Sequence, residues 1–196
     1  MANVLAVHSV MNSLVTFLRN RYPADLQGRF GGVFRLLASG DLETITDAET
    51  TLTLYLYRLT LDDQARSYGR PNSSSMGAAA PLPLWLDLHF MLTVWTDNAL
   101  AEHALLTWAM RELHMRPLLN ASTLSPDGNW DAHDVVQITP AELTNEELMR
   151  VWDRLKPSYR LSMPYLARIV RIDPDTTPDT LPVVVTDFGY GDLVGR

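Results

Sequence analysis

Residues 84 to 95 alternate between two kinds of side chain, and this pattern restricts the fold more than any other feature of the sequence. Every second residue is large and apolar, namely Leu84, Leu86, Leu88, Phe90, Leu92 and Val94. The residues between them are mixed, namely Trp85, Asp87, His89, Met91, Thr93 and Trp95. Successive side chains of a strand point to opposite faces of a sheet, so this period of two predicts a strand over 84–94 with one buried face. The mixed face needs its own cover, which we expect to be a helix or another subunit.

The remaining segments predict a sheet accompanied by helices. Residues 51–57 alternate Leu with Thr or Tyr, which predicts a second strand. Short strands are predicted over 33–37 and 135–139, and a further strand over 161–172, in which Pro164 indicates an edge or a bulge. Apolar residues at helical spacing predict helices over 4–21 and 98–115, the second capped by Asp97. A capping box of Thr144 and Glu147 opens a third helix. The residues alone therefore predict a soluble α+β domain.

Composition excludes several classes of function. The net charge is −7, from 16 basic and 23 acidic residues, so we expect no nucleic-acid partner. The absence of cysteine removes disulfides, thiolate metal sites and cysteine nucleophiles. No uncharged apolar run approaches the roughly 18 residues that span a bilayer, so we expect no direct membrane insertion. The first residues lack the basic region of a secretory signal.

No catalytic, cofactor or metal-binding motif is recognisable, so the predicted catalytic, cofactor-binding and metal residues are none. His103 and His114 fall on one side of a helix but about 16 Å apart, too far to share a metal ion. Asp87 lies within an apolar strand and needs a partner, for which Arg35, Arg58 and Arg168 on other predicted strands are candidates.

Two blocks of the sequence, taken together, resemble one protein family. The first comprises residues 83–93 (PLWLDLHFMLT) and 109–119 (AMRELHMRPLL), and the second comprises 136–148 (VQITPAELTNEEL), 151–152 (VW) and 159–165 (YRLSMPY). Residues 54–57 (LYLY) form a shorter third block. Their order and spacing resemble the tail-terminator, or cap, proteins of phage-tail-like extracellular contractile injection systems. The resemblance extends to about Asp173 and departs from the family pattern at Trp95 and at Thr107 and Trp108.

The resemblance implies a structural protein rather than an enzyme, with no cofactor. It implies an α+β fold with a mixed sheet and helices packed on it, like that of phage tail terminators. The expected function is a hexameric ring that terminates the inner tube and binds the last sheath ring, with the inner tube protein and the sheath protein as partners. The ring would assemble in the bacterial cytoplasm and become part of a particle that can be released from the cell. Trp85, Asp87, His89 and Met91 are the candidate residues for a subunit interface.

The resemblance ends near Asp173, and the tail after it matches no pattern of the family. We therefore divide the chain into a terminator-like domain, residues 1–173, and a C-terminal arm, residues 174–196, whose role is a hypothesis from the sequence. Residues 173–180 form a linker stiffened by two prolines. The β-prone segment beyond it contains Val183, Val184, Val185, Thr186 and Phe188. In contractile sheaths the subunits exchange strands, so we expect these five residues to add a strand to the sheath or to a neighbouring subunit. The alternative is a strand that completes the sheet of its own domain.

Two rival functions belong to other classes. One is a monomeric adaptor or chaperone for an injected effector. The other is a small metal-dependent hydrolase built on Asp87, His89 and His103. The long segment 62–83, rich in Ser, Ala, Gly and Pro, is predicted to be a functional or mobile loop, or else a disordered insertion.

Overall fold

A six-stranded sheet organises the computed structural model, which describes residues 2–62, 83–153, 155 and 158–174. The strands are β1 (Val33–Leu37), β2 (Thr51–Leu61), β3 (Leu84–Trp95), β4 (Leu118–Asn120), β5 (Val135–Pro140) and β6 (Ser162–Ile172). The helices are α1 (Ala6–Arg21), α2 (Ala24–Phe30), α3 (Ala99–Met115) and α4 (Asn145–Trp152), with short 3-10 turns at Asp41–Glu43 and Pro126–Gly128.

The strand order is β1-β2-β3-β6-β5-β4, and the sheet is mixed as expected. Strands β1 and β2 run parallel, and every other neighbouring pair is antiparallel. Strand β2 continues four residues beyond the predicted 51–57, because its pairing with β3 continues past a bulge at Tyr57 that shifts the register. A bulge adds one residue to a strand, so it interrupts the alternation from which the strand's length was predicted.

Pro164 does not mark an edge, because β6 lies between β3 and β5. The Pro164 carbonyl accepts a hydrogen bond from the Ala141 N–H at 3.0 Å, so this residue directs its backbone polar groups away from β3. Strand β5 ends beside it, at Pro140 opposite Tyr165. The nitrogen that lacks a proton therefore stands where no ladder bond is required, and an interior strand tolerates the proline.

The aliphatic face of β3 lies in the main hydrophobic core, beneath α1 and α3. Phe90 is fully buried there and stacks on Tyr165 with ring centroids 5.7 Å apart. Helix α3 contributes Leu105, Trp108 and other apolar side chains. Its N-cap is Asn98, whose side chain accepts from the N–H groups of residues 100 and 101, so the predicted cap at Asp97 was wrong by one residue.

The second face of the sheet is covered in part by the chain's own helix α4. Trp152 packs against Trp95, 6.1 Å between ring centroids, together with Met91, Leu37 and Leu42. The predicted capping box begins this helix, with Thr144 and Glu147 bonded reciprocally. Helix α4 has only eight residues, and a free helix of that length is unstable in water, so its apolar contacts with the sheet hold it in place.

Replacing Gly128 by alanine is expected to destabilise the fold by about 1–3 kcal/mol, the usual cost of overpacking. A Cβ at this position would lie 2.3 Å from Nε1 of Trp130 and 2.9 Å from Oγ of Ser9. These groups are already bonded, since the Trp130 N–H donates to Ser9 Oγ at 2.9 Å and Ser9 donates to the Ser125 carbonyl. Urea unfolding measures the loss.

The matched control is Gly28→Ala, in helix α2, where the added carbon would have no atom within 4 Å apart from its chain neighbours and the backbone of its own helix. Alanine is the better helix former, so this variant should gain up to about 1 kcal/mol. A Gly128→Ala protein that unfolds at the wild-type urea concentration would contradict the predicted clash.

Candidate functional site

Beyond helix α4, the second face of the sheet is half-exposed. We call this area the open face and define it by Trp85, Asp87 and His89 of β3 with Arg58 and Thr60 of β2. The bulge in β2 sets its composition, because the register after Tyr57 places Arg58 opposite His89 and Thr60 opposite Asp87. The open face thus combines a large aromatic ring with polar and charged side chains.

Trp85 lies opposite Arg171 of β6, whose guanidinium carbon is 5.7 Å from the indole ring centroid. Arg171 also forms an ion pair with Asp173, whose side chain is nearly buried. The other carboxylate oxygen of Asp173 accepts the Ala2 N–H at 3.0 Å, and the Asp173 N–H donates to the Ala2 carbonyl at 2.9 Å. The end of β6 is therefore anchored to the beginning of the chain beside the open face.

His89 is the histidine of the open face, and its pKa is shifted. Partial burial, reinforced by the Arg58 guanidinium and opposed by Asp87, lowers the pKa of the imidazole below its usual range. Its Nε2 lies 2.9 Å from the hydroxyl of Thr60, and the Tyr57 ring is 6.1 Å away. The ring is therefore neutral at pH 7, and His89 acts as a hydrogen-bonding group rather than a cation.

The lowered pKa predicts acid sensitivity that depends on His89. In the unfolded chain the imidazole titrates near its usual value of about 6.5, so below that pH the unfolded state binds more protons than the folded state. Stability should then fall as the pH drops through 6.5 toward the folded-state pKa. The melting temperature should consequently fall less between pH 7.5 and 5.0 in His89→Gln than in the wild type.

His103→Gln is the control, because that side chain is exposed on α3. It should retain the wild-type pH dependence in the same calorimetric measurement. Equal acid losses in His89→Gln and the wild type would mean that His89 does not titrate differently on folding.

The strand register shows which of the predicted arginine partners lie near Asp87. Arg35 is on β1, which pairs only with residues 51 to 55 of β2, so it lies away from Asp87. Arg58 is on the strand that pairs with this part of β3. Arg168 belongs to the irregular stretch of β6 that faces Asp87, between Ala167 and Val170. Asp87 therefore lies between strands that each supply an arginine.

The predicted interface residues separate into two groups. Trp85, Asp87 and His89 lie together on the open face, where they are partly exposed. Met91 is 1% exposed beneath α4, so the chain's own helix covers it and no neighbouring subunit can reach it in this structure. The predicted strand-augmentation residues, Val183, Val184, Val185, Thr186 and Phe188, lie outside the described residues, as does most of the segment 62–83.

The three residues of the rival hydrolase do not come together. His103 is exposed on α3, which packs on the aliphatic face of the sheet, whereas Asp87 and His89 are on the opposite face. Within the described ranges, no group of three or more His, Cys, Asp or Glu side chains is arranged to hold a metal ion. None of the helices in those ranges combines the length and apolar character needed to cross a membrane.

Two apolar grooves were missed by sequence reasoning. One, of about 600 Å³, lies between α1 and the end of β1, and its lining includes Val4, Val7, Met11, Leu36 and Leu56. The other, of about 460 Å³, lies between α2 and α3, and its lining includes Leu26, Leu100 and Trp108. Val4, which lines the first groove, is 71% exposed. The helical spacing of apolar residues predicts a buried stripe and gave no signal of a groove.

The fold has known relatives among assembled particles. Over 98% of its length the chain is similar to the sheath/tube terminator, in the extended state, of the extracellular contractile injection system PVC, with a TM-score of 0.58 and 17% identity. Over 92% of its length it is similar to the tube-terminating cap of the anti-feeding prophage, with a TM-score of 0.55 and 18% identity. It spans 64% and 60% of those two chains, which is less than two thirds of either. The class of fold is thus that of the tube-terminating proteins of contractile injection systems.

The family assignment follows from the sequence. Residues 9–186 match the family described as the Pvc16 N-terminal domain, and the chain belongs to this family. No curated protein matches the sequence significantly.

Proposed function

We propose that this protein caps a contractile injection system, where it terminates the inner tube and binds the last sheath ring as part of a hexameric ring. The observation that carries the proposal is the similarity of 98% of the chain to a sheath/tube terminator, supported by a second similarity to a tube-terminating cap. Family membership over residues 9–186 supports the same function.

Termination requires a subunit with two unlike surfaces. One surface must match the stacking contact of the tube, and the other must provide no such contact. The described chain has such an asymmetry, because apolar grooves border α1 and α3 whereas the open face carries Arg58, Asp87 and His89. The outer strands of the sheet are also unlike, with β1 at one side and the three-residue β4 at the other. Unlike sides suit a head-to-tail interface, which closes into a ring when its rotation divides a full turn.

The proposed partners are the inner tube protein and the sheath protein, with further copies of this chain in the ring. Among the predicted interface residues, the structure leaves Trp85, Asp87 and His89 accessible. We assign assembly to the bacterial cytoplasm, where tubes and sheaths are built, and the finished subunit to the particle.

Electron microscopy of particles made without this protein tests the proposal. Overlong tubes or tubes lacking a finished end are expected, and expression of the wild-type gene from a plasmid should restore the normal length. Averaged images of wild-type ends should show a sixfold ring into which this structure fits. Particles of normal length with finished ends in the deletion strain would reject termination.

The same preparations separate the cap from the rival adaptor. A cap should co-purify with intact particles at about six copies per particle end, measured by quantitative mass spectrometry. An adaptor for an effector should be absent from particles and remain small in light-scattering measurements. Finding another polypeptide at the tube end, with this chain bound only to an effector, would favour the adaptor.

A further inference from the structure

Among the described residues, part of strand β2 has no neighbour on its outer side. The pairing with β1 ends at Leu37 opposite Tyr55, but β2 continues to Leu61, and no described residue pairs with the outer side of this continuation. The Asp62 N–H donates to the Trp85 carbonyl at 3.0 Å, toward β3. Backbone groups alternate in direction along a strand, so those of Leu61 and Leu59 point outward. An open edge of this kind is a template for another strand.

The open part of β2 is also apolar. Leu59 and Leu61 are 50% and 53% exposed on adjacent positions of one strand face, so they form a small apolar patch. At Leu56 the edge meets the groove of about 600 Å³ between α1 and the end of β1. We call the outer side of residues 56 to 61, with this groove, the β2 edge. A strand bound there would form backbone hydrogen bonds and cover both leucines.

The described chain ends at the same end of the sheet as β2. Strands β2 and β6 both run antiparallel to β3, so they run parallel to each other. Leu61 lies opposite Leu86, and Ile172 lies opposite Leu84, so both strands finish beside the first residues of β3. The two backbone and side-chain bonds between Asp173 and Ala2 hold the departure point of the following residues.

The distance to the β2 edge is within reach of the linker. From β6 to a strand outside β2 there are three strand spacings, or about 14 Å. The six residues from 175 to 180 can span up to about 20 Å when extended. The next residues, 181 to 188, include three consecutive valines and a phenylalanine, a composition that favours strands. The family match continues to residue 186 and so includes most of this segment.

We propose that residues 181–188 add to the sheet of their own chain as a further strand, antiparallel to β2 along Leu56–Leu61. The direction follows from the connection, because a chain that leaves at the Leu61 end must run back toward Leu56. The geometry thus assigns the segment to its own domain, the alternative left open by the sequence, rather than to the sheath or a neighbouring subunit. The unpaired backbone groups on this side of the sheet would then belong to residues 181–188 rather than to β2.

Disulfide trapping in the full-length chain tests this assignment, and the absence of native cysteine makes the test clean. Leu59→Cys is combined in turn with cysteine at Val183, Val184, Val185 and Thr186, and each variant is oxidised. Directly opposite strand residues have Cα atoms close enough for a disulfide, whereas their sequence neighbours point to the other face. We expect an intrachain disulfide in monomeric protein at alternate positions of the series. Thr107→Cys, exposed on α3, replaces Leu59→Cys in the control series and should form none.

Three results would overturn the proposal. Disulfide-linked dimers or larger ladders would place the segment on another copy. If Leu59→Cys instead formed a disulfide with a cysteine at Ser74, residues 62–83, which connect β2 to β3, would occupy this edge. No disulfide at any of the four positions would place residues 181–188 elsewhere.

Hydrogen exchange supplies a second measurement without cysteine. Val184→Pro and Val185→Pro are made separately, because only one of two neighbouring residues directs its N–H toward β2. That variant should speed exchange of the Leu59 and Leu61 amides at least tenfold, while the amides of α3 remain unchanged. Unchanged exchange at Leu59 and Leu61 in both variants would contradict the assignment.

Discussion

Trp152→Ala should destabilise the protein by about 3 kcal/mol, the lower end of the range for a buried tryptophan. The indole is 4% exposed and contacts Trp95 and Tyr159, with ring centroids 6.1 and 5.9 Å apart. The lower end applies because its N–H is buried with no acceptor among the described residues, so truncation also relieves the cost of desolvating that group. Without the Trp152 side chain, helix α4 loses its main contact with the sheet, and eight residues are too few to stay helical in water on their own.

The loss of stability should affect helix α4 first and the whole fold only afterwards. Amides of residues 145–152 should exchange faster in Trp152→Ala even where the strands remain protected, and urea unfolding should give the total loss. Met149→Ala is the matched control, since this side chain is on the same helix and 39% exposed, and it should change stability by less than about 0.5 kcal/mol. Equal losses in the two variants would contradict the anchoring role of Trp152.

Phe90→Ala should have the largest effect, about 4–5 kcal/mol. Phe90 is fully buried on the central strand β3, opposite Leu56 of β2 and Tyr165 of β6. Its nearly parallel stacking on Tyr165, at an interplanar angle of 17°, adds an aromatic contribution of about 1 kcal/mol to the burial. A typical domain is stable by 5–15 kcal/mol, so this single change could remove most of the stability.

Unlike the Trp152 variant, Phe90→Ala should lose stability cooperatively across the sheet, seen as a lower urea midpoint for both helix and strand signals. Phe90→Leu is the control and should cost less than about 1.5 kcal/mol, because it keeps the site apolar and nearly filled. A loss below about 2 kcal/mol in Phe90→Ala would show that neighbouring side chains close the cavity.

The contrast between these variants has a functional consequence. Trp152 holds the layer that covers Met91 and Trp95, and so determines how much of the second face remains as the open face. Phe90 holds β2, β3 and β6 together, and these strands carry both the open face and the β2 edge. If Trp152→Ala impairs assembly although the sheet remains stable, then α4 and the surface beside it are needed for assembly.

Local periodicity explains which strands and helices could be predicted. Strand β1 coincides with the predicted 33–37, and β3 extends the predicted 84–94 by one residue. Helix α2 and strand β4 were not predicted, because seven and three residues are too few to establish a period. In β2 the bulge at Tyr57 broke the alternation, and the strand continued because pairing with β3 continued.

The open face and the β2 edge required the tertiary structure. The sequence places Trp85, Asp87, His89 and Met91 on one strand face, but the position of α4 decides that Met91 is buried and the other three are accessible. The β2 edge exists because β1 is only five residues long and β2 eleven, and neither length reveals which strands are neighbours.

The sequence by itself determined the α+β class, the buried face of β3, the capping box of α4 and the resemblance to tail terminators, since each depends on residues close together in the chain or on recurring blocks. Only the tertiary structure decided the order of the strands, the partial cover of the second face and the side of β2 with which no described residue pairs. Strand order depends on contacts between residues far apart in the chain, and the period of side chains within one strand carries no information about its neighbour.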